Sequence, residues 1–466
     1  MKKHTALPWM IGIGGCIVLL FALMLAVVML TGVTSGTIYE KTPFSLSSLT
    51  SGETNTSSCG DAILPAFIGI VCDGEKTGLC AGDSVIEEIY AALSPWIADA
   101  LATEPYEATN GPEMRGDMIV VEYHTPLPAH LIGVCAQALS DAQEMDTAYA
   151  DPSLFAEVSR LFLEVTPGGK YTMLIPAADG GWLRYTCPDN VGEEYPDKQK
   201  WLEWKTSFRN HFYRFSFAAE CVHTESMADG DSGTDEDPWE IVFAERMRTR
   251  GMIVGDKMGV TLRNRTDQTN IFVRLLGYNP DKLSRREEKD GSLTLVENHG
   301  IFRLGDSEFV YTANPGGGVE LGQIIGYRET YTPADMLRGG CTILETLGSL
   351  QPYCVGGDAG ITLTGVSYGA DGITFTFSYT FDNLRLWNCA PAMTITFSGD
   401  YRVCAMTIHT IAVRSIGEYS TLYAENGIRA ALGYGSTILV YDADPEAVSI
   451  FPEWARMTKK AAEEEN

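Results

Sequence analysis

The chain has 466 residues, with 34 Lys+Arg against 61 Asp+Glu and a formal net charge of −27. That balance argues against a nucleic-acid partner, because affinity for the phosphate backbone comes from clustered Lys and Arg. With 45% hydrophobic, 10% aromatic and only 20% charged residues, the composition excludes a disordered chain. At roughly 150 residues per domain, about three folded units fit.

Lys2 and Lys3 lead into Ala6–Leu30, a run of 25 residues without a charge. A bilayer core about 30 Å thick takes about 20 apolar residues. The run also exceeds the ~7–15-residue core of a signal peptide. Thr34-Ser35-Gly36 mimics a cleavage site, but the length favours an uncleaved anchor. The positive-inside rule then puts the N-terminus in the cytoplasm and exports the rest, a single-pass protein of the cell membrane with an extracellular C-terminal region. Ile13-Gly14-Gly15-Cys16 resembles a lipoprotein box. Apolar residues continue past it, so Cys16 reads as a membrane-buried thiol. The expected divisions are a cytoplasmic tip (1–7), a transmembrane helix (8–33), a Ser/Thr/Gly-rich flexible tether (34–58), and exported α+β regions at 59–238, 239–331 and 332–466.

In the first exported region, Ile86, Ile89, Leu93, Trp96, Ile97 and Leu101 recur at helical spacing and predict a helix over Val85–Leu101. Asp117–Tyr123 and Tyr171–Ile175 read as strands. Ser153–Val165, after an Asp-Pro start, fits a helix with Leu154, Val158, Leu161 and Leu163 apolar. The stretch Asp229–Pro238 is acidic and Gly-punctuated and reads as a loop or boundary. The middle region holds Asn270–Pro280 and a strand over Asp290–Glu297. In the last region, Ile373–Phe381 alternates apolar or aromatic residues with Ser or Thr, a strand with one buried face. It forms a hairpin with Ile361–Tyr368 through Ala370-Asp371-Gly372. A second hairpin joins Ala392–Phe397 to Tyr401–Val413, Leu422–Leu432 reads as a short helix ended by Gly433, and Thr437–Tyr441 returns as a strand.

Catalytic signatures are weak. Gly365-Val366-Ser367-Tyr368-Gly369 matches a nucleophile elbow, but that elbow needs a helix after the Ser, whereas a strand follows here. Lys76-Thr77-Gly78 lacks a companion S-x-x-K and reads as a surface turn. Asp229, Asp231, Asp235, Asp237 and Glu240 partly follow a calcium-loop spacing, with Gly233 and Thr234 off pattern; a solvated acidic loop is the simpler reading. His124, His130, His211, His223, His299 and His409 form no H-E-x-x-H pair and read as surface or hydrogen-bonded histidines. Asn314–Gly318 is a loop without a phosphate-binding setting, and Asn55 and Asn264 open glycan sequons. No cofactor and no metal is expected.

Ten cysteines follow the run: Cys59, Cys72, Cys80, Cys135, Cys187, Cys221, Cys341, Cys354, Cys389 and Cys404. An even number in an exported region suggests disulfides, with about 945 pairings open. Proximity suggests Cys341–Cys354, Cys389–Cys404 and Cys72–Cys80; buried thiols are the alternative. No C-x-x-C supports a redox or zinc site.

An N-terminal anchor, an acidic exported region and a closing β-β-β-β-α pattern together resemble the YycH/YycI family, membrane-anchored extracellular regulators of the WalK sensor histidine kinase. Phe272–Pro280, Gly291–Phe302 and Ile361–Leu432 carry the resemblance, the last being similar to PepSY-like repeats in which a curved antiparallel sheet packs on a helix. The resemblance implies a non-enzymatic, binding mechanism, with a sensor histidine kinase and a related membrane-anchored regulator as partners besides the bilayer. The clustered Gly12, Gly14 and Gly15 would then let the anchor pack against kinase helices. An anchored cell-wall hydrolase or peptidase and a passive surface scaffold are the competing readings.

Overall fold

Side chains of a strand alternate between two faces, so a strand covered on both sides reads as a continuous apolar run. That rule organises the first half of the body. The computed structural model describes residues 62–80, 84–103, 106–108, 111–114, 116–139, 157–166, 168–177, 181–187, 195–221, 238–255, 266–305, 307–350, 356–357, 359–370, 372–425, 437–442 and 449–456. The expected tip, transmembrane helix and tether lie outside these, as does most of the acidic stretch before Pro238. Among the described residues no helix is long and apolar enough to cross a membrane.

The elements of the first half are β1 (Pro65–Cys72), β2 (Glu75–Cys80), α1 (Ser84–Leu101), β3 (Tyr106–Ala108), β4 (Met118–Pro128), α2 (Ala129–Leu139), β5 (Glu157–Val165), β6 (Tyr171–Pro176), β7 (Trp182–Thr186), α3 (Lys198–Ser207), β8 (Tyr213–Phe217), α4 (Ala218–Cys221) and β9 (Ile241–Phe243). The strands form one antiparallel nine-stranded sheet in the order β3-β7-β6-β5-β4-β1-β2-β8-β9. Ile119, Val121 and Tyr123 of β4 enter the core that holds α1 and α2, while Met118 and Val120 enter a second core on the opposite face. That second core is aromatic: Phe67 meets Phe215 and Phe243 edge-on, and Phe162 meets Trp182 and Trp239. The helix expected over Val85–Leu101 is α1, and all six of its expected apolar residues are buried.

The expected helix over Ser153–Val165 is a correction: residues 157–165 are β5, at the centre of the sheet between β4 and β6. Val158, Leu161 and Leu163 face one core and Phe162 the other. Three successive apolar residues served two faces, which the i, i+4, i+7 spacing imitated. Lys76-Thr77-Gly78 is also corrected. It lies in β2, with Thr77 buried, and the turn falls at Asp73-Gly74, both at positive φ.

The second half contains β10 (Met247–Gly255), α5 (Thr266–Leu275), β11 (Ser284–Glu287), β12 (Leu293–Glu297), β13 (Gly300–Leu304), β14 (Glu308–Ala313), β15 (Val319–Glu320), α6 (Leu321–Ile325), α7 (Pro333–Leu350), β16 (Gly356–Gly357), β17 (Gly360–Gly369), β18 (Gly372–Phe381), β19 (Leu384–Trp387), β20 (Met393–Phe397), β21 (Arg402–His409), β22 (Ala412–Leu422), β23 (Thr437–Asp442) and β24 (Glu453–Arg456). Twelve of these strands form a sheet whose main path is β11-β12-β13-β14-β21-β20-β18-β19-β23-β24, with β15 on β21 and β17 on β18. Its pairs are antiparallel except β19–β23. The hairpins β17–β18 and β20–β21 fall where the alternation placed them. The strand expected over Tyr401–Val413 is divided at Thr410-Ile411: β21 stays in the large sheet, and β22 turns away to pair with β10 and β16 in a small three-stranded sheet. Leu422 ends β22 rather than opening a helix; residues 426–432 lie outside the described residues.

Helix α7 begins with a reciprocal cap. Asp335 Oδ2 accepts from the Thr332 N–H at 2.9 Å, and the Asp335 N–H reaches Thr332 Oγ1 at 3.3 Å, with Pro333 at the first helical position. Gly339 of α7 lies against Leu321 and Phe397, and Gly340 against Phe377 and Met393. The two large sheets meet where Thr125 of β4 donates to the Thr364 carbonyl of β17 at 2.8 Å. One continuous core includes Ile86 of α1 and Phe375 of β18, and Thr54–Asn466 forms one compact unit. The fold is therefore α+β with mostly antiparallel sheets and few helices.

Candidate functional site

The sequence Met247-Arg248-Thr249-Arg250 alternates an inward Met with outward Arg, and β22 answers with Tyr419, Thr421 and Tyr423. In register, Arg248 lies opposite Thr421 and Arg250 opposite Tyr419; one step further, Arg246 reaches Tyr423. The outer face of the β10–β22 pair, extended by the flanking residues Arg246 and Tyr423, is therefore a column of three arginines beside a Tyr-Thr-Tyr column. The Arg248 guanidinium lies 4.1 Å from the Tyr419 ring centroid and that of Arg246 5.2 Å from the Tyr423 ring. Both tyrosines are strongly exposed, at 53% and 64%. Arg250 is held by Asp382 at 3.3 Å, whereas Arg246 and Arg248 have no ion pair among the described residues.

Local geometry fixes this ladder. The register shifts between Arg250 and Met252, at Gly251, where a Cβ would lie 2.6 Å from the Phe451 ring. Tyr441 donates to the Arg250 carbonyl at 2.7 Å, the Arg248 N–H reaches Tyr213 Oη at 3.4 Å, and Trp454 Nε1 donates to the Tyr423 carbonyl at 3.0 Å. A cavity of about 90 Å³, bordered by Cys80, Thr249 and Tyr441, lies alongside. A wider cleft of about 510 Å³ by α3 and β8 carries Lys205, paired with Glu75 at 2.7 Å, and Arg214, paired with Glu245 at 3.5 Å, together with the exposed Arg209.

A second cluster forms at the β1–β2 turn. Lys198, at the start of α3, contacts Asp73 at 2.7 Å and Asp117 at 2.6 Å. The donor atoms of Cys72, Asp73 and Asp117 lie within 4.8 Å of one another, a group capable of ligating a metal. The Lys198 ammonium is hydrogen-bonded to both carboxylates, and those bonds push its pKa up while lowering that of Asp73. Burial raises the Cys72 thiol pKa, which favours the protonated form. The Lys198 ammonium thus occupies the two carboxylates, and Cys72 Sγ lies 3.8 Å from Asp73 Oδ2, an arrangement that reads as a structural ion cluster.

The residues singled out in the sequence do not converge. Ser367 lies on β17 opposite Thr374, followed by a strand. Gly12, Gly14, Gly15, His223, Asn55, Asn264, Asp229, Asp231, Asp235 and Asp237 lie outside the described residues. Two suggested disulfides are corrected. Cys80 pairs with Phe67 and Cys72 with Glu75, five residues apart along the hairpin, or about 17 Å. They also enter different cores. Cys404 donates to the Thr396 carbonyl at the hairpin end of β20–β21, while Cys389 precedes the other end of β20 and packs by Tyr379 and Tyr441. Cys354 lies outside the described residues, which leaves Cys341–Cys354 undescribed. His211 and His299 are exposed and His409 is 4.0 Å from Glu308. His130 departs from expectation: it is buried, and neither ring nitrogen has a hydrogen-bond partner among the described residues. Burial lowers its pKa to about 4.

The arginine–tyrosine ladder escaped the sequence reading. Arg246, Arg248 and Arg250 carry a period of two that was visible, but Tyr419 and Tyr423 are over 160 residues distant and only strand pairing unites them. No family model, no curated protein and no solved structure matches the chain.

Proposed function

We propose that the chain is a membrane-anchored extracytoplasmic regulator that modulates a two-component sensor histidine kinase, through contacts of its spanning helix and its exported body. The observation that carries this reading is the antiparallel β18–β20–β21 sheet, which lies in the segment that resembles the PepSY-like repeats of the YycH/YycI family and packs against α7, a helix that precedes that segment in the chain. The uncharged Ala6–Leu30 run behind Lys2 and Lys3 supports the anchoring. The Arg–Tyr face of β10–β22 supports contact with a protein partner, since Tyr and Arg are the residue types concentrated at interface hot spots. To act as a switch, the regulator binds one kinase state better than the other; equal binding shifts nothing.

The experiment is affinity capture of the full chain from cross-linked membranes, with Gly14→Leu alongside. A histidine kinase is expected with the unaltered chain, at several-fold lower recovery with Gly14→Leu. Capture that lacks any histidine kinase overturns the reading, and equal recovery from both chains removes the role of the anchor.

A further inference from the structure

We propose that the outer face of β10–β22 binds an extended acidic peptide segment of a partner protein, with carboxylates at alternate positions. This inference rests on the reading of the chain as a binding protein and names the chemistry that the exported body recognises. Three features carry it. The first is charge: a chain of net −27 gathers three arginines in one column. Arg246 and Arg248 have aromatic rings beneath them and no carboxylate partner among the described residues. A guanidinium is a planar fork that matches a carboxylate in bidentate geometry, and it keeps that capacity while stacked on a ring.

The second feature is spacing. Arg246, Arg248 and Arg250 repeat every two residues, about 6.8 Å along an antiparallel strand. Side chains on one face of an extended peptide repeat at the same distance, so carboxylates at i and i+2 meet Arg246 and Arg248, the two arginines without a carboxylate partner among the described residues. The third is preorganisation. The hydrogen bonds from Tyr441 and Trp454 hold the carbonyls of Arg250 and Tyr423, which lowers the ordering cost of binding. Asp382 already engages Arg250, and Glu245 sits by Arg214 at the border. Asp382 therefore closes the Arg250 end of the column, so that a peptide carboxylate is accepted at Arg246 and Arg248 and repelled at Arg250.

The test measures binding of fluorescent peptides to the full chain in detergent at low salt. One peptide alternates Glu with Ser; the other has the same composition with the Glu residues in adjacent pairs. The alternating peptide is expected to bind about tenfold more tightly, and Arg248→Glu to abolish that preference with an unchanged melting temperature. Tyr419→Ala should weaken both Arg248 stacking and peptide binding. Equal affinity for the two peptides, or no effect of Arg248→Glu, overturns the proposal. Stronger binding of anionic-lipid vesicles or of a single-stranded oligonucleotide overturns it as well. Kinase capture is a separate readout. Kinase recovery without peptide selectivity removes this inference and leaves the regulator reading; peptide selectivity without any kinase does the reverse.

Discussion

At the scale of the residue, burial lowers the pKa of both His124 and His130 to about 4, and His130 is the one with neither ring nitrogen partnered among the described residues. It sits at the start of α2, 6% exposed, with both nitrogens unpartnered among the described residues. Burial disfavours the charged ring and lowers its pKa to about 4, against about 6.5 in an unfolded chain. Between those values the unfolded state binds the extra proton, so stability falls as pH drops from about 6.5 towards 4. This residue contributes about 2 kcal/mol of destabilisation at pH 4.5 relative to pH 7. His130→Met removes one of two histidine titrations in this window, that of His124 remaining, and its melting temperature should decline less steeply over that range. An acid decline as steep as that of the unaltered chain would refute the assignment. The low Asp290 pKa, about 2, acts in a separate and more acidic window, where its hydrogen bonds from Ser292 are lost.

At the scale of the element, two local devices set the second half. The Thr332/Asp335 cap begins α7, and Asp335 also receives Arg338 at 3.0 Å and Arg328 at 3.2 Å while remaining buried. Asp335→Ala loses the cap and leaves Arg328 and Arg338 without their shared acceptor, a cost of about 1–2 kcal/mol in urea unfolding. Asp335→Asn, which retains one acceptor, should recover part of it; no difference between the two variants would contradict the capping role. The β17–β18 hairpin turns at Gly372, whose φ is +133° and where a Cβ would collide with the Phe397 carbonyl oxygen. Gly372→Ala should therefore cost at least about 2 kcal/mol and separate β18 from β20. Normal hydrogen-exchange protection of Phe375 and Phe377 in that variant would contradict this. Hairpins and α1 were legible because their signals are local. β5 was not, since its apolar spacing fits either a helix or a two-faced strand, and only neighbours β4 and β6 decide between them.

At the scale of the whole molecule, the sheets follow spatial rather than sequence order. β14 pairs with β21 across some hundred residues, so 284–331 and the C-terminal hairpins share one sheet. β22 leaves that sheet to meet β10, which creates the Arg–Tyr face. The seam at Thr125 and Thr364, with Thr362 donating to the Ala62 carbonyl at 3.1 Å, joins the first sheet to the second. Arg248→Glu is the substitution that probes this level, because the surface it alters exists only when distant strands pair. The expected reach of proximity failed for the same reason. Cys72 and Cys80 are eight residues apart, yet an antiparallel register places them far apart and in opposite cores.

The sequence by itself determined the charge balance, the uncharged run, the α+β class, helix α1 and the C-terminal hairpins, because composition and short periodicity are properties of a contiguous stretch. Only the tertiary structure decided which face each strand presents, which cysteines lie near one another, that His130 is enclosed without a partner, and that three arginines stand beside two tyrosines. Those are properties of pairing between segments far apart in the chain, and strand register carries no local signature strong enough to specify its partner.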